Sequence, residues 1–347
     1  MTTPRDALAG KLPVTLITGF LGSGKTTLIS HLLKHPDMNR VAVVINEIGE
    51  IGIDHDLVKM SSENVSLLAN GCLCCTVRTD LQETLRELFG QRRAGQIADF
   101  DRVIVETTGL ADPAPVVQTL VSDTMLAAQY RIDGVVTLVD AVNGAALLER
   151  QPEAKKQIAL ADRILITKRD LSNDAGVAAL REAIHAVNQQ ADSRIVLMGA
   201  IEPSELTGLG LASARAGANT LRFLGETLDG ASESGERYLR ERTGVRHDPA
   251  IGTLSLRFET PFTWETFSAA MELLTTLRGP DLLRVKGIVN VDGKAVVVQG
   301  VQHIFHPPVE LDRWPSADIS TRLVFITRNI KAETIRGLFA AVSAITA

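Results

Sequence analysis

Eight residues, Gly19-Phe20-Leu21-Gly22-Ser23-Gly24-Lys25-Thr26, constrain this chain more than any other stretch. They fit the spacing G-x-x-x-x-G-K-[ST], follow the apolar run 14–17 and precede a segment, 27–33, patterned as a helix. A strand, a glycine-rich loop and a helix in that order turn backbone N–H groups inward, where they cradle phosphate oxygens. Gly22, Ser23, Gly24, Lys25, Thr26 and Thr27 are therefore expected at the nucleotide. Lys25 is assigned to the β/γ-phosphates, with a catalytic role, and the Thr26 hydroxyl to Mg2+.

Composition narrows the rest. A chain of 347 residues exceeds one ordinary core, so two domains are expected. No apolar run reaches membrane-spanning length, residues 1–11 lack the apolar stretch of a signal peptide, and a net charge of −5 disfavours a nucleic-acid sleeve. The three cysteines all lie between positions 72 and 75, a clustering that indicates reduced thiols in the cytoplasm rather than a disulfide framework. The expectation is a cytoplasmic protein without membrane or nucleic-acid partners.

Short β-branched runs recur along the first two hundred residues. Val41–Ile45 reads as a buried strand that delivers Asn46-Glu47-Ile48-Gly49-Glu50, a segment suited to sensing Mg2+ and the γ-phosphate. Residues 65–68 lead into Asn70-Gly71-Cys72-Leu73-Cys74-Cys75. Thr79 with Gln82 reads as a capping box before a helix patterned on Leu81, Leu85, Leu88 and Phe89. The cysteines are thus expected on a loop between two elements. Arg102–Glu106 is a strand whose acidic end, Glu106, is the candidate to hold Mg2+ directly or through water, or to orient the attacking water. Gly109, three residues on, is positioned to offer its N–H to the γ-phosphate. Further strands are expected at 134–140, 163–166 and 195–198.

This alternation predicts an α/β fold, a P-loop NTPase with a mostly parallel sheet and helices on both faces. Residues 12–206 form that domain after an N-terminal tail (1–11); 207–250 read as a Gly/Ser/Glu-rich linker. Period-two alternation from Thr253, a helix over 264–277, strands at 283–289, 295–299 and 322–327 and a helix over 332–342 give a smaller C-terminal α+β domain (251–347). Its sheet is expected to be open on one side.

Thr167-Lys168-Arg169-Asp170 resembles the [NT]-K-x-D element of GTP-binding proteins. A carboxylate at Asp170 accepts from guanine N1–H and the exocyclic amine, a donor pair adenine lacks. Cys72, Cys74 and Cys75 offer three soft thiolates for Zn2+ or a similar cation, with Glu47 a further candidate ligand. An incomplete ligand shell suits delivery better than permanent structure. His303 and His306 can share a metal only if the chain turns between them; His31, His35 and His185 read as helix-face residues, and His247 lies in the linker.

With these elements in order the chain resembles the CobW-like family of P-loop GTPases, which includes cobalamin-synthesis, zinc-chaperone and nitrile-hydratase-activator members. The residues carrying the resemblance are Gly19–Thr26, 46–50, 71–75, the stretch Glu106-Thr107-Thr108-Gly109-Leu110-Ala111-Asp112-Pro113, Thr167–Asp170, and in the C-terminal domain 300–308 with Trp314-Pro315. The resemblance implies slow GTP hydrolysis coupled to binding and release of Zn2+ or Co2+ at the cysteines. It also implies Mg2+ at the nucleotide and handover to a client metalloprotein or metal-insertion complex, and a homodimer is compatible with it. Many relatives carry a histidine-rich tract near the domain junction; here His247 stands nearly alone. Two rival readings explain less. A kinase of a small metabolite leaves the cysteines and Asp170 without a role. In a regulatory GTP-binding module with structural zinc, GTP only stabilises the fold and chelation should unfold the chain whatever the nucleotide.

Overall fold

The computed structural model describes residues 10–45, 58–60, 65–68, 73–76, 80–210 and 251–346. Side chains within 46–79 lie outside that description, as do the whole of Glu47, Cys72 and the 211–250 segment. The chain divides into two compact units, Met1–Ala183 with Ala191–Gly210, and Ile184–Gln190 with Leu211–Ala347.

The first unit is built on a sheet in the order β3-β4-β5-β2-β6-β1-β7-β8-β9. Its strands are β1 (Leu12–Gly19), β2 (Val41–Ile45), β3 (Val58–Met60), β4 (Val65–Leu68), β5 (Leu73–Thr76), β6 (Arg102–Glu106), β7 (Tyr130–Asp140), β8 (Arg163–Thr167) and β9 (Asp192–Ile195). From β5 to β9 all neighbours pair parallel; β3 and β4 add an antiparallel edge. The inner strands are buried on both faces, which is why they read as continuous β-branched runs rather than alternating ones. On one face Ile17, Val43, Ile45, Ile104, Leu138 and Leu165 pack under Leu28, Ile29 and Leu32 of α1 (Lys25–Leu32). On the other face α3 (Ala114–Ser122) and α6 (Pro152–Leu160) lie against β7. Tyr130 Oη donates to Leu85 O of α2 (Leu81–Arg93) there. The remaining helices are α4 (Thr124–Gln129), α5 (Gly144–Arg150) and α7 (Asp174–Val187).

Three local expectations are corrected. The cap of α2 is Asp80, whose carboxylate accepts from Gln82 N–H at 3.0 Å, rather than a Thr79 box. The last strand is the polar stretch Asp192–Ile195, not 195–198: among the described residues it pairs only with β8, and an edge strand needs fewer apolar residues than an inner one. Val196 turns into the core while Leu197 and Met198 stay exposed. His35 is not a helix-face residue; it follows α1, where its Nδ1 accepts from Asp37 N–H.

The second unit is an antiparallel sheet, β10 (Ile251–Phe258), β15 (Thr321–Arg328), β11 (Leu282–Val291), β12 (Lys294–Val301) and β13 (Ile304–Phe305) in that order, with β14 (Val309–Glu310) also on β12. Helices α8 (Trp264–Arg278) and α9 (Ala332–Thr346) pack on each other. Phe258, Phe262, Phe267 and Phe339 form an aromatic cluster in the core, with Phe258 and Phe262 edge-on at 5.2 Å between centroids. Thr263 caps α8 by accepting from Thr266 N–H. The sheet is not open on one side as expected: Arg284, Lys286, Ile288 and Asn290, at alternate positions of β11, are all buried. Polar letters at alternate positions signal solvent only when nothing satisfies those groups in the interior; Asn290, for one, donates to Ile319 O and accepts from Gly293 N–H.

Candidate functional site

The order β2-β6-β1-β7 makes the carboxyl end of β1 a switch point: the chain leaves β1 toward β2 on one side, and β6 feeds β7 on the other. Ligands of open α/β sheets bind in the crevice at such a point. Gly19 through Lys25 occupies it. Gly22 and Gly24 take φ values of 72° and 96°, which side chains with a Cβ rarely adopt, so the loop can fold tightly only with glycine there. Lys25 is buried, its Nζ held inside the loop 3.1 Å from Gly19 O and 3.4 Å from Phe20 O, whereas Thr26 and Thr27 at the start of α1 are exposed. A buried ammonium inside a glycine-rich loop at a helix N-terminus, with hydroxyls at the rim, fits a polyphosphate with its cation. Ser23 contributes through its backbone: its N–H closes a turn on Phe20 O, and its hydroxyl is buried against a small apolar cavity lined by Phe20, Leu138, Leu147 and Ile158.

The exit of β6 lies beside this loop. Glu106 is 1% exposed and stands in register with Ile17 of β1 and Ile45 of β2. Thr107 ties the exit to the loop strand, donating its N–H to Ile17 O at 3.0 Å and its hydroxyl to Thr18 Oγ1 at 2.8 Å. A Cβ on Gly109 would sit 2.7 Å from Leu21 N, so the segment runs close against the phosphate loop. The structure thus brings Gly109 against the phosphate loop and Glu106 beside the strand that leads into it.

At the exit of β8, Thr167 donates its hydroxyl to Ser23 O at 2.7 Å. Threonine here braces the phosphate loop despite lacking the amide arm of asparagine. Lys168 has φ 53°, a left-handed conformation, and its Nζ is 3.1 Å from Asp140 Oδ2. Asp170 stands exposed on the turn Arg169–Leu171. Asp140 is the residue whose importance the sequence understated. Burial pushes its carboxyl up, but hydrogen bonds from the Asn143 side chain, the N–H groups of Asn143 and Val142, and Lys168 outweigh that and hold it below the ordinary aspartate value. Its signal was an acidic residue at the end of a buried strand.

The turn after β9 was also missed, because it was read as strand. Gly199 has φ 79°, and a Cβ there would meet Thr27 O at 2.8 Å, so this turn is seated on the first turn of α1.

Cys74 and Cys75 lie within β5, not on a loop; their backbones pair with Val43 and Val44 of β2 and with Ser66 and Val65 of β4. Cys72 and Glu47 lie outside the described residues, as do 46–57 and His247. Among the described residues no group of three or more His, Cys, Asp or Glu side chains is placed to hold a metal ion. His303 and His306 flank the two-residue strand β13; His303 is exposed, and His306 N–H donates to Gln299 O. No helix among the described residues is long and apolar enough to cross a membrane.

Fold and loop together define a P-loop nucleotide-binding protein with an appended α+β domain. Residues 13–194 match the family model described as CobW/HypB/UreG, nucleotide-binding domain, and residues 251–343 match the cobalamin synthesis protein cobW C-terminal domain. The chain belongs to that family of GTP-hydrolysing P-loop proteins. It is 33% identical over 332 residues to a protein of Escherichia coli named zinc chaperone YjiA, covering 95% of this chain and 98% of the relative. A Sinorhizobium protein named zinc chaperone CobW is 30% identical, with 85% of each chain covered. Among solved structures, Zn(II)-bound YjiA GTPase from E. coli superposes with a TM-score of 0.72 at 30% identity, covering 96% of this chain and 99% of that one.

Proposed function

We propose that this chain is a GTP-dependent metallochaperone, taking Zn2+ or Co2+ as cargo at Cys72, Cys74 and Cys75 and handing it to a client metalloprotein or metal-insertion complex in the cytoplasm. Relatives named zinc chaperones match it over nearly its whole length, which supports the cargo assignment.

The observation that carries the coupling is the ladder β5-β2-β6-β1. Thr76, Ile45, Glu106 and Ile17 form one row across four adjacent strands, with Cys75 in the row just behind. At strand spacing, the backbone of Cys75 is roughly 10 Å from that of Val105. A change at the exit of β6 therefore acts two strands away from the cysteine strand, through continuous backbone hydrogen bonding.

In this reading Gly22–Thr27 grip the triphosphate and Lys25 neutralises charge growing on the β/γ oxygens. Mg2+, held by Thr26 and by Glu106 directly or through water, supplies further positive charge when bound. Gly109 offers its N–H to the γ-phosphate, and Thr167, Lys168 and Asp170 hold the base. Loss of the γ-phosphate frees the β6 exit and lowers affinity for the cargo.

Zn2+ competition titrations with a non-hydrolysable GTP analogue and with GDP test this. Tighter metal binding with the analogue, by about tenfold, is expected, with the same factor appearing when nucleotide is titrated with and without metal. The Cys72→Ser/Cys74→Ser/Cys75→Ser variant should abolish both effects. Equal Zn2+ affinity in the two nucleotide states would remove the coupling.

A further inference from the structure

Helix α6, between β7 and β8, holds the segment around Gly109 that runs against the phosphate loop. Its buried residues are Ala154, Gln157, Ile158, Ala159 and Leu160, so one amide stands among apolar side chains. Gln157 is 1% exposed, and a buried amide must find partners. Its Nε2 donates to Gly109 O at 3.1 Å and to Ala111 O at 3.0 Å, using both amide protons on the two carbonyls that bracket Leu110. Its own backbone carbonyl accepts from Thr137 Oγ1 on β7 at 2.9 Å, which anchors this turn of helix to the sheet. The preceding residue, Lys156, reaches Asp112 at 2.9 Å, and the other Asp112 oxygen accepts from Ala114 N–H at the start of α3.

These bonds fix the orientation of Gly109. The peptide that carries the Gly109 N–H has Thr108 O at its other end, which accepts from Ala111 N–H at 3.0 Å. The next peptide has Gly109 O, held by Gln157. Both amide planes flanking Gly109 are therefore pinned, one within the turn and one from α6.

We propose that Gln157 and Lys156 are positioning residues for hydrolysis: α6 clamps residues 109–112 against the phosphate loop and aims the Gly109 N–H at the γ-phosphate. The clamp's hydrogen bonds run to residues 109–112 and to β7. It acts on the difference between triphosphate and diphosphate, not on nucleotide affinity as such. The inference rests on Gly109 being the γ-phosphate contact of a GTPase.

The test uses the full chain with Gln157→Met, which keeps length and removes both donors, and Lys156→Met. Single-turnover GTP hydrolysis is measured beside affinities for GDP and a non-hydrolysable GTP analogue. For Gln157→Met, kcat should fall about tenfold or more, with GDP affinity held within about twofold and the analogue-to-GDP affinity ratio lowered. Lys156→Met should give the same split at about threefold. If Gln157→Met does not fold, Lys156→Met decides by that pattern. Wild-type-like kcat and an unchanged affinity ratio in the folded variants would overturn the clamp while leaving the GTPase reading intact. A wild-type protein that hydrolyses no GTP would remove the reading itself, and the inference with it.

Discussion

The loops leaving β6 and β8 rise from the same end of one parallel sheet, yet they are secured in opposite ways. After β6 the ties are mostly neutral and buried: Thr107 to Ile17 and Thr18, and Gln157 to Gly109 and Ala111. After β8 one buried neutral bond, Thr167 to Ser23, gives way at once to charge nearer the surface, with Lys168 paired to Asp140 and Arg169 paired to Asp174, and Asp170 left exposed. Neutral buried bonds depend little on salt or pH and suit a group that must hold a fixed geometry at a reacting phosphate. Charged, half-exposed pairs are weaker and screened, but they leave the Asp170 carboxylate exposed, as the proposed base contact requires.

The sharpest way to break the comparison is at the first loop. Gly109→Ala would drive a Cβ to 2.7 Å from Leu21 N and 2.8 Å from Leu21 Cα, both backbone atoms that cannot yield cheaply. Displacing the loop by about 1 Å should lower kcat for GTP by about 100-fold, measured in single turnover, with GDP binding largely kept. A near-normal kcat would mean the β6 exit is not held against the phosphates. The second loop should answer in affinity instead. Asp170→Asn is expected to weaken GTP binding roughly 10- to 100-fold in calorimetry, by presenting an amine to guanine donors, while leaving the phosphate contacts intact. An unchanged affinity would remove the guanine assignment.

The smallest effect tests the charged bracing itself. Asp140 titrates lower in the folded chain than in the unfolded one, so the unfolded state binds more protons between that lowered value and the ordinary 3.8. Its stabilisation is complete above 3.8 and is lost as the pH falls through the lowered value. Asp140→Asn should cost about 1 kcal/mol at neutral pH, allowing for the partly exposed Lys168, and the gap to wild type should close in acid. Thermal melts of both proteins across pH 2–7 would show it. A gap that persists in acid would assign the loss to packing.

How much of this was legible followed the physics of each signal. The phosphate loop was visible because its glycines are demanded by backbone conformation and its lysine by charge, and both leave letters at fixed spacing. Glu106 and Gly109 were visible because β6 reads as an uninterrupted buried strand with an acidic end. Gln157 was not, since its meaning comes from carbonyls almost fifty residues away. The edge strand Asp192–Ile195 was misplaced because apolar letters were taken for strand when the neighbouring Val196 belonged to the core and Leu197 to a turn. Buried Arg284 and Lys286 misled in the converse way, as charged letters that do not face water. The cysteine motif was legible as chemistry, but the place of Cys74 and Cys75 within β5 was not, because a short stretch between the 65–68 run and the following helix was taken for a loop.

The hydroxyl that Thr167 lends to Ser23 has a wider bearing. The strand end that opens the proposed base element also braces the phosphate loop through that one bond, so a substitution at Thr167 should reach both ends of a bound nucleotide, whereas one at Asp170 should leave the loop alone. Drift in base reading is thus free beyond Thr167 and costly at it.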